Sequence, residues 1–432
     1  MAISSPASSQ SYKPSTAGGT QVAAMSIVTT LFFIWGFITS LNDILIPHLK
    51  SIFALNYAEV MLVQFAFFSA YAIFGLPSGF LVERIGYQRT MVVGLIAMAL
   101  GAILFVPAAE APSFPLFLAA LIVLAAGITM LQVAANPYVT FLGPPQTASS
   151  RLNLTQAFNS LGTVLAPLFG AWLILGEAPK VIKNLKALSP AALHSYRVAQ
   201  AATVKLPYVS ITVVLVLLGL LIALYKFPRL DITRDFRPVH PGHADSLWNY
   251  RHLVLGAIGI FVYVGAEVSI GSFLTNYFNQ PEIGGFSLEK AALLVPYYWG
   301  GAMIGRFVGS VLLQRMKTGP VLGICAIVAG CLVITSMLSF GPFAVWTILL
   351  VGLFNSIMFP SIFTLAIAEL GPLTGKASGL LCVAIVGGAV IPELQGLLAD
   401  KIGIHHAFIL PVLCYVFIAY YGFRGSKIVL PG

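Results

Sequence analysis

The chain has 432 residues, 58% of them hydrophobic and 9% charged, against about a quarter charged residues in a soluble domain. So little polar surface excludes an ordinary water-soluble enzyme or binding module. Since one transmembrane helix consumes roughly 20 apolar residues, the length accommodates about twelve of them with short loops. The formal charge of +9 reads as membrane topology rather than nucleic-acid binding, because Lys and Arg gather on cytoplasmic loops.

In chain order, residues 1–24 form a polar leader rich in Ser, Pro and Gly, predicted to be disordered and cytoplasmic, with no signal-peptide pattern. Spans are predicted at 25–48, 57–81, 90–108, 114–141, 152–175 and 207–227. A polar cytoplasmic linker follows at 228–250, and then spans at 252–279, 289–313, 319–338, 344–368, 377–399 and 405–424. The fold class is therefore an all-α membrane protein of twelve helices in two six-helix halves, 25–227 and 251–432. Arg84, Arg89, Arg151, Lys226, Arg315 and Lys317 fall on alternate loops, which places both termini in the cytoplasm. The exception is an outer segment from Glu177 to Pro207 that carries Lys180, Lys183, Lys186, Arg197 and Lys205. It is long for such a loop and has room for a short surface helix.

The halves resemble each other. The fourth span ends on Asn136-Pro137 and a Leu142-Gly143-Pro144 stop, while the tenth contains Phe359-Pro360 and runs to Leu370-Gly371-Pro372. Gly75 and Gly79 in the second span match Gly305 and Gly309 in the eighth, and both pairs read as close helix packing. Repeats of this kind mark transporters whose substrate site lies between the halves near the bilayer midplane.

Charges inside spans are costly, so the four that occur, Asp43, Glu267, Arg306 and Glu393, each need a partner, water or a proton. Asp43, in Asn42-Asp43-Ile44-Leu45-Ile46-Pro47, is suited to take up a proton or a cation on one side and release it on the other. Gln132 and Asn136 share one helix face, as do Gln156 and Asn159. Their amides donate and accept without charge, which suits sugar hydroxyls. Pro137 lacks an amide hydrogen, so the carbonyl of Val133 is expected to turn towards ligand or water. In the second half Glu267, Asn276 and Asn355 are the corresponding substrate-binding candidates, Arg306 is expected as an ion-pair partner towards the inner end, and Glu393 faces an outer vestibule or solvent. There is no Gly-Lys-Ser phosphate loop, no HExxH and no Cys/His cluster, which disfavours ATP-driven transport and an enzyme, and implies no cofactor or firm metal site.

The runs Asn42-Asp43-Ile44-Leu45-Ile46-Pro47-His48-Leu49, Gln132-Val133-Ala134-Ala135-Asn136-Pro137-Tyr138-Val139 and Leu154-Thr155-Gln156-Ala157-Phe158-Asn159-Ser160-Leu161-Gly162 resemble the fucose/galactose/hexose symporter family of the major facilitator superfamily. Tyr263-Val264-Gly265-Ala266-Glu267-Val268-Ser269 and Phe354-Asn355-Ser356-Ile357-Met358-Phe359-Pro360 are most similar to its bacterial glucose/galactose transporters. The resemblance implies the major facilitator fold, alternating access and a bacterial inner-membrane location. It also implies uptake of a hexose with a co-transported sodium ion or proton, by a monomer whose partners are the sugar and membrane lipid and not nucleic acid. N-acetylglucosamine or L-fucose as substrate, or drug or lipid export, are the alternatives. The resemblance makes Asp43 the coupling residue and Gln156 and Asn159 sugar contacts, and gives Glu83, Arg84 and Arg89 the superfamily's gating signature. Where the fucose symporter has a second functional glutamate, this chain has Gln132. That leaves Asp43 to carry a proton alone, or to hold sodium together with Asn42 or Gln64.

Overall fold

Lipid offers the backbone no hydrogen-bond partners, so apolar runs of this length fold as helices. The computed structural model describes residues 21–53, 55, 57–170, 189–228 and 246–428. The first half holds α1 (Val22–Phe53), α2 (Tyr57–Ile85), α3 (Tyr87–Glu110), α4 (Phe114–Phe141), α5 (Ala148–Gly170), α6 (Pro190–Ala202) and α7 (Lys205–Leu224). The second holds α8 (Arg251–Asn279), α9 (Leu288–Ala292), α10 (Val295–Leu312), α11 (Thr318–Met337), α12 (Gly341–Asn355), α13 (Met358–Ala366), α14 (Thr374–Val383), α15 (Gly387–Ile402), α16 (Ile404–Ala407) and α17 (Ile409–Tyr420). Among the described residues ten helical stretches are long and apolar enough to cross a membrane. With α5 and the α9–α10 pair they make the twelve crossings expected. The predicted leader, most of the linker, and residues 171–188 of the outer segment lie outside the described residues.

Four of the expected spans, 289–313, 344–368, 377–399 and 405–424, are not continuous helices, and in three of them the reason is local. A proline ring clashes with the carbonyl four residues before it and leaves that carbonyl without a donor. Three breaks fall there, near Ala292 before Pro296, Ser356 before Pro360 and Ala407 before Pro411, and α6 ends in the same way near Thr203 before Pro207. The break between α14 and α15 falls instead at Ala384–Val386, and α15 runs on through Pro392. In α2, α3, α4 and α5 the helix instead runs through Pro77, Pro107, Pro137 and Pro167. In the outer segment α6 is the short helix for which there was room. It starts on a Ser189 cap and packs on α3 and α1, where Arg197 donates to the carbonyl of Ile52 at 3.3 Å.

Within the first half α3 lies between α4 and α7, and α1 lies along α5. In the second half α8 packs on α13, α15 and α17, and α10 on α12. Leu217, Leu220, Leu224, Val311 and Val416 are exposed on the outside of the bundle, where lipid tails meet them. Arg151, one of the expected loop cations, is buried. It caps the end of α4, donating to the carbonyls of Val139, Thr140 and Pro144 and to Thr147 Oγ1 at 2.6–3.2 Å.

The halves meet chiefly through α2 against α14 and α5 against α10. The glycines of α2 pack as expected, and the structure supplies their partner: a Cβ on Gly79 would stand 2.8 Å from the Gly375 carbonyl, and one on Gly379 2.6 Å from that of Gly75. Beside them Lys376 and Glu83 form an ion pair of 2.8 Å. Thr318 donates to Ser149 Oγ at 2.9 Å, Ser149 meets Thr364 at 2.5 Å, and Ser150 donates to the Ser310 carbonyl at 2.5 Å. All these contacts lie towards the end that carries Glu83, Arg84 and Arg89, the basic end, and they close the bundle there.

Candidate functional site

Deeper than this closure, the buried polar side chains of the two halves approach each other. On α4, Gln132 is buried and its Nε2 donates to the hydroxyl of Tyr71 of α2 at 2.6 Å. One turn on, Asn136 is fully buried; its Oδ1 accepts from Gln156 Nε2 of α5 at 3.5 Å, while its Nδ2 has no acceptor. The structure thus brings Gln132, Asn136 and Gln156 together. It turns Asn159 away, since that amide donates to the Phe32 carbonyl of α1 at 2.9 Å and so fastens α5 to α1.

The carbonyl freed by Pro137 has a different partner from the one expected. Val133 O accepts from Ser378 Oγ of α14 at 2.8 Å, so it is spent on the opposite half rather than on ligand or water. The same device recurs elsewhere. Pro167 frees Thr163 O, which accepts from Ser40 at 3.1 Å, and Pro360 frees Ser356 O, which accepts from Arg306 Nε at 3.2 Å.

In the second half Glu267 and Arg306 form the buried pair that the bilayer demands. Arg306 Nη2 stands 3.7 Å from Glu267 Oε1, with both side chains under 15% exposed, and Nη1 of Arg306 crosses to Ser160 Oγ of α5. Asn355 is fully buried and hydrogen-bonded: its Nδ2 donates to the Tyr298 hydroxyl and its Oδ1 accepts from that of Tyr415, each at 2.8 Å. Tyr298 in turn donates to the backbone carbonyl of Glu267 at 3.3 Å. Asn355 therefore braces α8, α10 and α17. Asn276 and Glu393 are both exposed, Asn276 about 13 Å further along α8 at 1.5 Å per residue. The side chains of Asn42, Asp43 and Gln64 lie outside the described residues, although α1 and α2 carry their backbone.

Several functional candidates escaped the sequence reading. Thr39 Oγ1, Ser269 Oγ and both amide atoms of Gln395 are buried with no protein partner, and such groups are ordinarily met by water or ligand. Ser269 on α8 and Gln395 on α15 each lie one turn beyond the contact of Gly265 with Ile391. Their signal was polarity inside a span, but only tertiary packing shows that nothing answers it.

Two six-helix halves closed at one end, with polar groups converging between them, describe an architecture that can be compared. The family model of the Major Facilitator Superfamily matches residues 27–392. The chain belongs to the major facilitator superfamily. It is a transporter of that superfamily, not an enzyme. The chain is similar to a glucose/galactose transporter of Brucella abortus biovar 1 (strain 9-941), with 53% identity over 404 residues and 94% of each chain covered. Among solved structures it is similar to the Escherichia coli fucose:proton symporter, with a TM-score of 0.85 and 33% identity over 95% of this chain and all of the other. A structure of a major facilitator transporter in the outward conformation matches with a TM-score of 0.84, 34% identity, and 94% and 99% of the two chains covered.

Proposed function

We propose that the chain imports a neutral hexose, glucose or galactose, across a bacterial inner membrane by symport with a proton, and that its two ends close alternately around the sugar. The observation that carries this reading is the buried amide cluster of Gln132, Asn136 and Gln156, in which the Asn136 Nδ2 donor has no acceptor within the protein. An unmet buried donor costs about 1–3 kcal/mol, and a sugar hydroxyl is the kind of acceptor that would recover it. The name of the Brucella relative supports the hexose, and that of the Escherichia coli symporter supports the proton over sodium. With the basic end in the cytoplasm, as the positive-inside rule favours, both termini are cytoplasmic and the structure faces outward. Asp43 is the coupling carboxylate, with Asn42 and Gln64 beside it. Glu83, Arg84 and Arg89 gate the cytoplasmic closure, where the Glu83–Lys376 pair must open each cycle.

Uptake of labelled glucose into proteoliposomes, with proton and sodium gradients imposed separately, tests this. Accumulation driven by the proton gradient alone is expected, and uptake indifferent to both gradients would leave only facilitated diffusion. Driving by sodium alone would move the ion assignment to sodium at Asp43. Competition by galactose, N-acetylglucosamine and L-fucose fixes the substrate. Asp43→Asn is expected to lose gradient-driven accumulation and retain some exchange, and full accumulation would remove Asp43 from coupling.

A further inference from the structure

Gln132 leaves a vacancy in the coupling scheme, because an amide takes up and releases no proton at physiological pH. The second half holds a carboxylate in a position to fill it. Glu267 has a side chain 12% exposed, and its Oε1 is buried and accepts no hydrogen bond. Its cationic neighbour, Arg306 Nη2, stands off at 3.7 Å, whereas a charge-assisted hydrogen bond closes to about 2.7–2.9 Å. The guanidinium spends its other donors elsewhere: Nε on the carbonyl that Pro360 frees at Ser356, and Nη1 on Ser160 Oγ across the gap between the halves.

Among the described residues the ionisable groups that face Glu267 are few. Arg306 and Tyr298 come from α10, Tyr263 lies one turn back on α8, and Tyr415 comes from α17. The sequences of α12 and α13 contain no ionisable side chain. On α15 Glu393, Asp400 and Lys401 are exposed, on α9 Glu289 and Lys290 are exposed, and on α14 Lys376 is paired with Glu83. On α16 His405 is engaged by Tyr277 and the Met337 carbonyl, three turns along α8 from Glu267. Among the described residues Arg306 is therefore the charged side chain that stands beside the carboxylate.

We propose that Glu267 carries a transported proton and that Arg306 is the positioning residue that times its release, through the Ser160 contact. The proposal rests on the proton-symport reading above and adds a second proton site to it. With the basic end closed, Ser160 holds the guanidinium off Glu267, and the poorly met carboxylate takes a proton from the open side. When the basic end opens, α5 leaves α10 and Ser160 goes with it. Arg306 then has one fewer acceptor and turns onto Glu267, and the proton leaves to the newly open side. Ser160 also donates to the Gln156 carbonyl at 3.1 Å, so the amide cluster and the proton site share one helix turn.

The test measures protons moved per sugar in proteoliposomes, from an internal pH dye and labelled sugar together. In Glu267→Gln, whatever transport remains is expected to move one proton fewer per sugar than the wild type, and Glu267→Asp is expected to restore the ratio. A wild-type ratio in Glu267→Gln overturns the proposal. Should that variant not fold, Ser160→Ala decides. Without its cross-half acceptor Arg306 turns to Glu267 early, the carboxylate is harder to protonate, and the pH dependence of uptake shifts to lower pH by roughly one unit, which is tenfold in proton affinity. An unchanged pH profile in Ser160→Ala overturns the timing role. The symport reading fails separately, if the wild type moves no protons with sugar at all.

Discussion

Replacing Ser378 by alanine isolates one contact that exists only while the basic end is closed. Pro137 has removed the helical donor to the Val133 carbonyl, and Ser378 Oγ, from the opposite half, supplies the replacement at 2.8 Å in a buried setting. In Ser378→Ala that carbonyl is left unmet in the closed state, while in the open state the separated surfaces admit water to it. The penalty is the cost of an unsatisfied buried group, about 1–3 kcal/mol, and it falls on one state alone. The ratio of closed to open basic ends therefore drops by about 5- to 150-fold. Spin labels on cysteines at Gln146 and Met316, which lie exposed at the basic end of opposite halves, would report that ratio by pulsed EPR, in a background with the native cysteines replaced. A closed-to-open ratio within twofold of that of the parent protein would refute the reasoning, as would a shift towards closure.

Gly379→Leu places a side chain where a Cβ already meets the Gly75 carbonyl at 2.6 Å. The basic end is expected to stay open and transport to fall by about 5- to 150-fold, since overpacking costs about 1–3 kcal/mol; normal turnover would contradict this. Asn355→Leu removes the acceptor of Tyr415 and the donor to Tyr298 and is expected to cost about 1–3 kcal/mol, seen as a lower Tm in detergent. Arg151→Gln strips donors from the carbonyls that end α4 and is expected to lower the Tm further, because hydrogen bonds to a charged donor contribute about 1.5–3 kcal/mol each. An unchanged Tm in either variant would show that water replaces the lost partner.

The helix order was legible because lipid allows little else; the breaks were not, since Pro77, Pro107, Pro137, Pro167 and Pro392 lie inside continuous helices while Pro296, Pro360 and Pro411 follow interruptions. What hydropathy hides is that a run such as 344–368 stays apolar through the break at Ser356. Which carbonyls would be freed was legible. Their partners were not, since Ser378 reaches Val133 across 245 residues of sequence, and nothing local selects it over water. The amides show the same division. Asn136 and Asn159 look alike in sequence, each paired with a glutamine on its own helix face. Yet one keeps an open donor and the other is consumed by α1, because the Phe32 carbonyl lies within its reach. Glu267 and Arg306 were each singled out as costly in lipid, and only packing of α8 against α10 made them a pair.

The glycine contact between α2 and α14 bears on speed. A seam made of Gly75, Gly79, Gly375 and Gly379 lets backbone meet backbone, and glycine has no side-chain rotamers to freeze. Closing it orders few side chains, chiefly Val82 and Val383, so little side-chain entropy is lost and little has to be disentangled on opening. The attraction is spread over short-range dispersion and weak Cα–H···O contacts, which vanish within an ångström or so of separation. Such a seam has little hysteresis. A carrier that must part and rejoin its halves once for every molecule moved gains turnover from it, whereas interlocked leucines on the same surfaces would hold the closed state longer and throttle the cycle.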